Sequence, residues 1–147
     1  MNRSEAKDII FAHAATAWTN ACTTAGIASP QVRFKDDGQA EPSNGTYWAR
    51  ISTQVVDERQ ESLRNDSFER RFVTVGLVFV QIFVPRTSSG IIAKADVLAE
   101  SVRNAFRDPR VDDNLEFTQA TIDDNVQSEP AWLPVLVWAR FWYRQFL

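Results

Sequence analysis

The chain has 147 residues, a formal net charge of −3 at neutral pH and one cysteine. This length predicts a single domain over residues 1–147 with a hydrophobic core of its own. The acidic balance argues against a general nucleic-acid binder, which would carry a basic surface. The lone cysteine, Cys22, excludes an internal disulfide and a cysteine-based zinc site.

Neither a membrane span nor a secretion signal is predicted. The strongly apolar run Phe72–Val84 is stopped by Pro85 before it reaches the length of a transmembrane helix. The first residues, Met1–Glu5, enter a polar helix start and lack the apolar region of a signal peptide. We therefore expect a protein that is made in a reducing cytoplasm.

The first predicted element is a helix from Ser4 to about Thr24. Ser4 precedes Glu5, an order that favours a helix N-terminus through capping and through the helix dipole. Gly26 then supplies a C-cap, and Pro30 confirms that the helix has stopped. The apolar face, which we expect to pack on a sheet, comprises Ile10, Ala14, Ala17, Trp18 and Ala21.

Two strands and a polar loop are predicted next. Gln31–Lys35 forms a short strand, and the glycine-containing run that ends at Gly45 forms a loop. Tyr47–Val56 alternates its side chains with a period of two, which is typical of a strand. The segment Asp57–Asp66 is interpreted as a polar link to the following strand.

A long strand and an amphipathic helix occupy the middle of the chain. Phe68–Val84 is rich in β-branched and aromatic residues on both faces, as in a strand that is covered on both sides. Pro85 cannot donate to the ladder and ends the strand. Ser88 or Ser89 is expected to cap a helix that runs from about Ser89 to Phe106. Its apolar stripe, which must cover a sheet face, comprises Ile91, Ala95, Leu98, Val102 and Phe106.

Two further strands, Leu115–Val126 and Leu133–Phe146, complete the prediction. The order helix, strands, helix, strands indicates an α+β fold, a mainly antiparallel sheet packed with two helices. The last strand is apolar on both faces, whereas an antiparallel sheet in a lone domain commonly has one solvated face. Either loops fold over the second face, or neighbouring subunits bury part of it. The five tryptophans favour burial by neighbours, since Trp and Arg are enriched at interfaces.

No residue pattern indicates catalysis, a cofactor or a bound metal. His13 has no partner residue at helical spacing, which predicts a structural role, and Cys22 is interpreted as a small buried hydrophobe. Asp123–Asp124 lacks the ligand spacing of a calcium loop. Ser88–Gly90 lacks the glycine and lysine pattern of a phosphate-binding loop. We expect no enzyme; a ligand-binding or enzymatic α+β module is the alternative.

The residues around the long strand follow a distinctive order. Arg70–Arg71 leads into the apolar run Phe72–Val84, Gly76–Leu77 lies within that run, and the sequence VQIFVP closes it. A short polar turn to Gly90 then leads into the helix that closes on Phe106. This order resembles the middle of phage tail terminator proteins. The strand pattern of Tyr47–Ser52 and the aromatic last strand extend the resemblance, more loosely, to the whole chain.

The resemblance implies a role in tail assembly and no active site. Tail terminators are small α+β subunits that form a ring, here expected to be a hexamer, at the head-proximal end of a long-tailed phage's tail tube. Such a ring caps the tube, stops its polymerisation and joins the tail to head-completion proteins, while DNA passes through the lumen without specific binding. The implied location is the virion tail, after assembly in the host cytoplasm. Another small phage neck or tail completion protein is an alternative.

Contact residues are predicted from charge and from aromatic density. The segment Asp57–Arg71 carries both charge signs densely, which is typical of a solvated connection or of a loop that faces the tube or a neighbouring subunit. The final strand has more aromatic surface than one core should need, and passage of DNA favours an acidic or neutral lumen. The assigned residues are Arg59, Arg64, Arg70 and Arg71 for the tube, Trp138, Arg140, Trp142 and Arg144 for the subunit interface, and Asp36, Asp37 and Glu41 for the lumen.

Overall fold

A computed structural model describes residues 1–62, 70–107, 110–127 and 129–146 of the chain. In these ranges the chain forms two helices and one six-stranded sheet, which confirms the predicted α+β fold. The elements are α1 (Arg3–Thr24), β1 (Gln31–Phe34), β2 (Trp48–Ser62), β3 (Arg71–Pro85), α2 (Ile91–Phe106), β4 (Arg110–Asp112), β5 (Leu115–Asp123) and β6 (Trp132–Phe146).

The sheet has the strand order β1-β2-β3-β6-β5-β4. Only the β1–β2 pair is parallel, so the sheet is mainly antiparallel, as predicted. Strands β3 and β6 pair in continuous register from Arg71 opposite Phe146 to Pro85 opposite Trp132. This central pair carries β2 on one side and β5 on the other.

Both helices pack on the same face of the sheet. The predicted apolar face of α1 is buried, and in α2 the stripe is buried from Ala95 to Phe106, with Ile91 half-buried beside it. The strands meet them with every second residue, including Val78, Val80 and Val137. Alternate strand residues therefore form a dry core with the helices, and the intervening ones point to the opposite face.

Helix α1 starts one residue before the prediction and with a different cap. Asn2, not Ser4, is the N-cap: its side chain accepts a hydrogen bond from Glu5 N at 2.8 Å, and Glu5 Oε2 accepts one from Asn2 N at 2.9 Å. This reciprocal pair satisfies two helix-end donors at once, which a serine at position 4 would not do. At the other end, Gly26 has φ 73°, and Ile27 N donates to Cys22 O at 2.9 Å, which confirms the predicted stop.

The prediction that Ser88 or Ser89 caps α2 is wrong. The N-cap is Gly90, which has left-handed backbone angles and no side-chain hydrogen bond to the helix. Ser88 instead shares a 2.6 Å hydrogen bond with the hydroxyl of Tyr47. This bond ties the turn after β3 to the residue that precedes β2, so the serine fixes the loop and not the helix.

Strand boundaries differ from the prediction mainly at β2. The segment Asp57–Ser62 continues β2 opposite β3, with irregularities in the register after Val55 and after Gln60, so it is not a link. The short strand β4 was missed, and β5 ends at Asp123 rather than Val126. The predicted start of β3, Phe68, lies outside the described residues. Within the described residues the strand begins at Arg71.

Gly76 marks a close approach between three strands. A Cβ atom at this position would lie 2.5 Å from the carbonyl oxygen of Gln54 and 2.5 Å from Cζ of Phe141. Both distances are too short for real contacts, and the first involves backbone that cannot rotate away. Glycine is therefore required beside the β2 register shift so that the ring of Phe141 can cover the sheet.

We predict that Gly76→Ala destabilises the fold by about 1–3 kcal/mol, because it overpacks a closely packed site. Urea denaturation monitored by tryptophan fluorescence measures the change. In a Phe141→Leu background the same substitution should cost less, since one of its two close contacts has been removed. A loss below about 0.5 kcal/mol for Gly76→Ala alone would contradict the argument.

Candidate interaction surface

In the described part of the chain, the second face of the sheet carries no helix, and we call it the helix-free face. Cross-strand neighbours on it form rows, such as Ser52, Phe79 and Trp138, or Arg59, Val73 and Arg144. Its central apolar side chains are half-buried, whereas their neighbours on the helical face are fully buried. The half-buried set comprises Val75, Leu77, Phe79, Leu136, Trp138 and Trp142.

An aromatic cluster closes one end of the helix-free face. The rings of Trp48 and Phe83 stack with centroids 4.0 Å apart, and Trp132 meets both edge-on. Trp132 Nε1 donates to Thr46 O at 2.9 Å, which fastens the end of the β1–β2 loop to β6. The guanidinium of Arg50 lies 5.5 Å from the Phe83 ring centroid, so a cation covers the cluster from the solvent side.

The loop of residues 35–46 lies beside this cluster and borders an open cavity of about 540 Å³. All three residues predicted for the lumen are on this loop and exposed. Asp37 accepts hydrogen bonds from Phe34 N at 3.1 Å and from Gln39 N at 3.0 Å, and these bonds lower the pKa of its carboxyl. Arg33 Nε donates to Ala40 O at 3.0 Å. The loop is thus held by its own polar groups and presents carboxylates to solvent; we call residues 36–41 the acidic loop.

An arginine-lined cavity of about 400 Å³ occupies the other end of the helix-free face. We call it the arginine groove. Arg59 and Arg140 are exposed, and the guanidinium of Arg144 lies 4.6 Å from the ring centroid of Trp142. The other side chains that line the groove are Val73, Val75, Thr118 and Gln119.

Residues predicted for the tube contact and for the subunit interface lie together in the structure. Arg59, assigned to the tube, shares the arginine groove with three of the four residues assigned to the subunit interface, and Trp138 follows in an adjacent row. Arg70 is exposed just before β3, and Arg71 pairs with Phe146 at the strand end. Arg64 lies outside the described residues. Sequence reasoning missed this grouping because it took residues 57–62 for a link rather than a strand.

His13 and Cys22, the two residues considered for a catalytic role, both pack within the fold. His13 Nε2 is 2.9 Å from the carbonyl oxygen of Ala105, near the end of α2, and the imidazole stacks on Phe117 with centroids 5.2 Å apart. The residue therefore joins α1 to the end of α2. Cys22 is fully buried as predicted, and burial raises the pKa of its thiol to about 12.

Within the described ranges, no group of three or more His, Cys, Asp or Glu side chains is arranged to hold a metal ion. None of the helices in those ranges is long and apolar enough to cross a membrane.

Comparison with known proteins supports the fold and names no function. No family model and no curated protein matches the chain. A solved structure whose name states no function is similar to it with a TM-score of 0.56, at 16% identity, over 96% of each chain. At this identity the similarity shows the fold alone.

We predict that the acidic loop loosens only when the pH falls below the ordinary pKa of aspartate. The pKa of Asp37 is lowered in the folded loop, so its two backbone hydrogen bonds persist above the ordinary aspartate pKa and weaken as the pH falls through the lowered value. The amide NMR signals of Phe34 and Gln39 should move together with that titration. In Asp37→Asn this acid transition should vanish. A midpoint at or above the ordinary aspartate pKa would contradict the assignment.

Proposed function

We propose that this protein is a tail terminator subunit of a long-tailed phage: it caps the tail tube, stops its polymerisation and joins the tail to head-completion proteins. The observation that carries the proposal is the helix-free face, where half-buried tryptophans alternate with arginines on a sheet surface that no helix of the described residues covers. The order of elements agrees with the resemblance drawn from the sequence, since a helix, three strands, a second helix and three strands follow one another.

The composition of the helix-free face suits contact with other subunits better than contact with solvent. Trp138 and Trp142 combine large apolar area with a polar edge, and Arg140 and Arg144 alternate with them along β6. Trp and Arg are the residues that most often dominate the energetics of interfaces. A ring of identical subunits uses two different patches of each subunit, and a long face with unlike ends provides such patches.

The proposed assembly is a hexameric ring at the head-proximal end of the tail, formed in the host cytoplasm and retained in the virion. Its partners are further copies of the chain, the tail tube protein and a head-completion protein. An exposed cation such as Arg70, next to the end of the central strand pair, is a proposed contact with the tube. The proposal assigns no catalytic step, cofactor or metal to the protein.

Removal of the gene from the phage tests this function. Without a terminator, nothing halts addition of tube protein, so electron micrographs should show free tails of abnormal and variable length beside unjoined heads. A plasmid copy of the gene should restore tails of uniform length and infectious particles. Tails of normal length that fail to join heads would point instead to another neck or tail completion protein. Normal infectious particles would refute both assignments.

We also predict that the purified protein has no appreciable affinity for duplex DNA at physiological salt. Its net charge of −3 gives little release of counterions from phosphates, and a conduit for DNA must not retain it. Anisotropy of a labelled duplex measures the affinity, with a basic DNA-binding domain of similar size as the positive control. Tight binding that weakens steeply with salt would contradict the role of a passive conduit.

A further inference from the structure

We propose that the acidic loop of one copy docks in the arginine groove of the next copy. This inference deepens the proposed function, on which it rests for the ring, by naming the two surfaces that meet between subunits. It also gives Asp36 and Glu41 an arginine partner on a neighbouring subunit in place of the lumen position predicted from the sequence.

The arginine groove has cationic groups available to a partner. Within the described part of the chain, the side chains of Arg59 and Arg140 make no hydrogen bond or ion pair, and both are exposed. The side chain of Arg144 lies along Trp142, which orients its guanidinium against the apolar floor of the groove. The groove thus offers positive charge beside apolar surface, a combination that suits an acidic segment rather than a basic one.

The acidic loop has the matching properties. Between residues 36 and 41 it carries three carboxylates and no cation, and every side chain in that range is exposed. The carboxylate of Asp37 is engaged within the loop, which leaves Asp36 and Glu41 directed to other partners. Because Asp37 and Arg33 already hold the backbone, docking orders little additional chain, and the entropic cost of association is reduced.

The acidic loop and the arginine groove are separate surfaces on one molecule, because the two cavities share no lining residue. Gln81 lines the cavity beside the acidic loop, and Val73 lines the arginine groove. These residues lie on the same face of β3 and are separated along it by about 26 Å, at about 3.3 Å per residue. Two copies arranged head to tail bring the loop of one to the groove of the other, which leaves a free groove on the first copy and a free loop on the second. Such a contact is heterologous and repeats until a ring closes.

Disulfide trapping in the purified full chain tests the contact. A Gln39→Cys/Gln119→Cys variant places one thiol on the acidic loop and one in the groove and keeps every charge. Under mild oxidation it should form a ladder of covalent dimers and larger species. A bond within one chain leaves a monomer and adds nothing to the ladder, and the native Cys22 is fully buried. A Gln39→Cys/Asn104→Cys variant is the control, since Asn104 is equally exposed but lies on α2.

The loop–groove pair should cross-link about tenfold faster than the control or more, because docking raises the effective concentration of the two thiols. The rate should fall with added salt, as expected for contacts between exposed charges. Equal rates for the two variants would overturn the proposal. The measurement needs no tails, so it can fail while the tail-length experiment succeeds, and the reverse also holds.

Charge exchange provides the second arm of the test. In the trapping variant, a loop set (Asp36→Asn, Ala40→Lys, Glu41→Lys) or a groove set (Arg59→Glu, Arg140→Glu) should reduce cross-linking to the control rate. Asparagine is chosen at position 36 because the φ of Asp36 is 67°, which asparagine tolerates. A mixture of the two sets should restore the ladder, since each loop then meets a groove of opposite charge.

Matching thermal unfolding curves for all variants would show that the substitutions leave the fold intact. If the mixture of folded variants cross-links no faster than either set alone, charge pairing between loop and groove is excluded.

Discussion

The continuous pairing of β3 with β6 is the constraint on which the rest of the structure depends. Fifteen residue pairs join these strands without a register shift, and β2 and β5 attach to their outer edges. Because side chains alternate in a strand, this register decides which residues enter the core. A slip by one residue would either expose Val78 and Val80 or bury the arginines of β6. Gly76 lies opposite Phe141 in the observed register, and its lack of a side chain leaves room for the Phe141 ring. This fit favours the observed register over a slipped one.

The same register produces two unlike faces. On one side, the helices cover alternate residues completely, with Trp18 buried and its Nε1 donating to Gln31 O at 3.1 Å. On the other side, the aromatic cluster and the acidic loop cover only one end of the sheet. The remaining surface is neither core nor ordinary solvent face, because half-buried tryptophans alternate with arginines along β6 and the guanidinium of Arg144 lies over the Trp142 ring. Subunit association can bury this surface without any change in the fold.

Much of the fold follows from local patterns in the sequence. The 3.6-residue period identified the buried faces of both helices, the two-residue period identified the first part of β2, and the long apolar runs identified β3 and β6. The second half of β2 was not predicted as a strand, because β1 covers the outer edge of β2 only as far as Ile51. From there β2 is an edge strand, and its exposed charges are indistinguishable from those of a loop. The predictions of the helix caps were wrong because hydrogen bonds, rather than residue propensities, determine the positions of these side chains. Asn2 pairs with Glu5 at the start of α1, and Ser88 bonds to Tyr47 instead of capping α2.

The candidate surface was predictable in its residues but not in its grouping. Charge and aromatic content pointed to Arg59 and to β6, yet their adjacency depends on the register across β2, β3 and β6 and on the irregularity after Val55.

The exposed edge of β2 also bears on how subunits meet. Its charges and register irregularities oppose pairing with the edge of another sheet. Association by strand addition at that edge is therefore disfavoured, which is consistent with the proposal that copies of this chain join through the helix-free face.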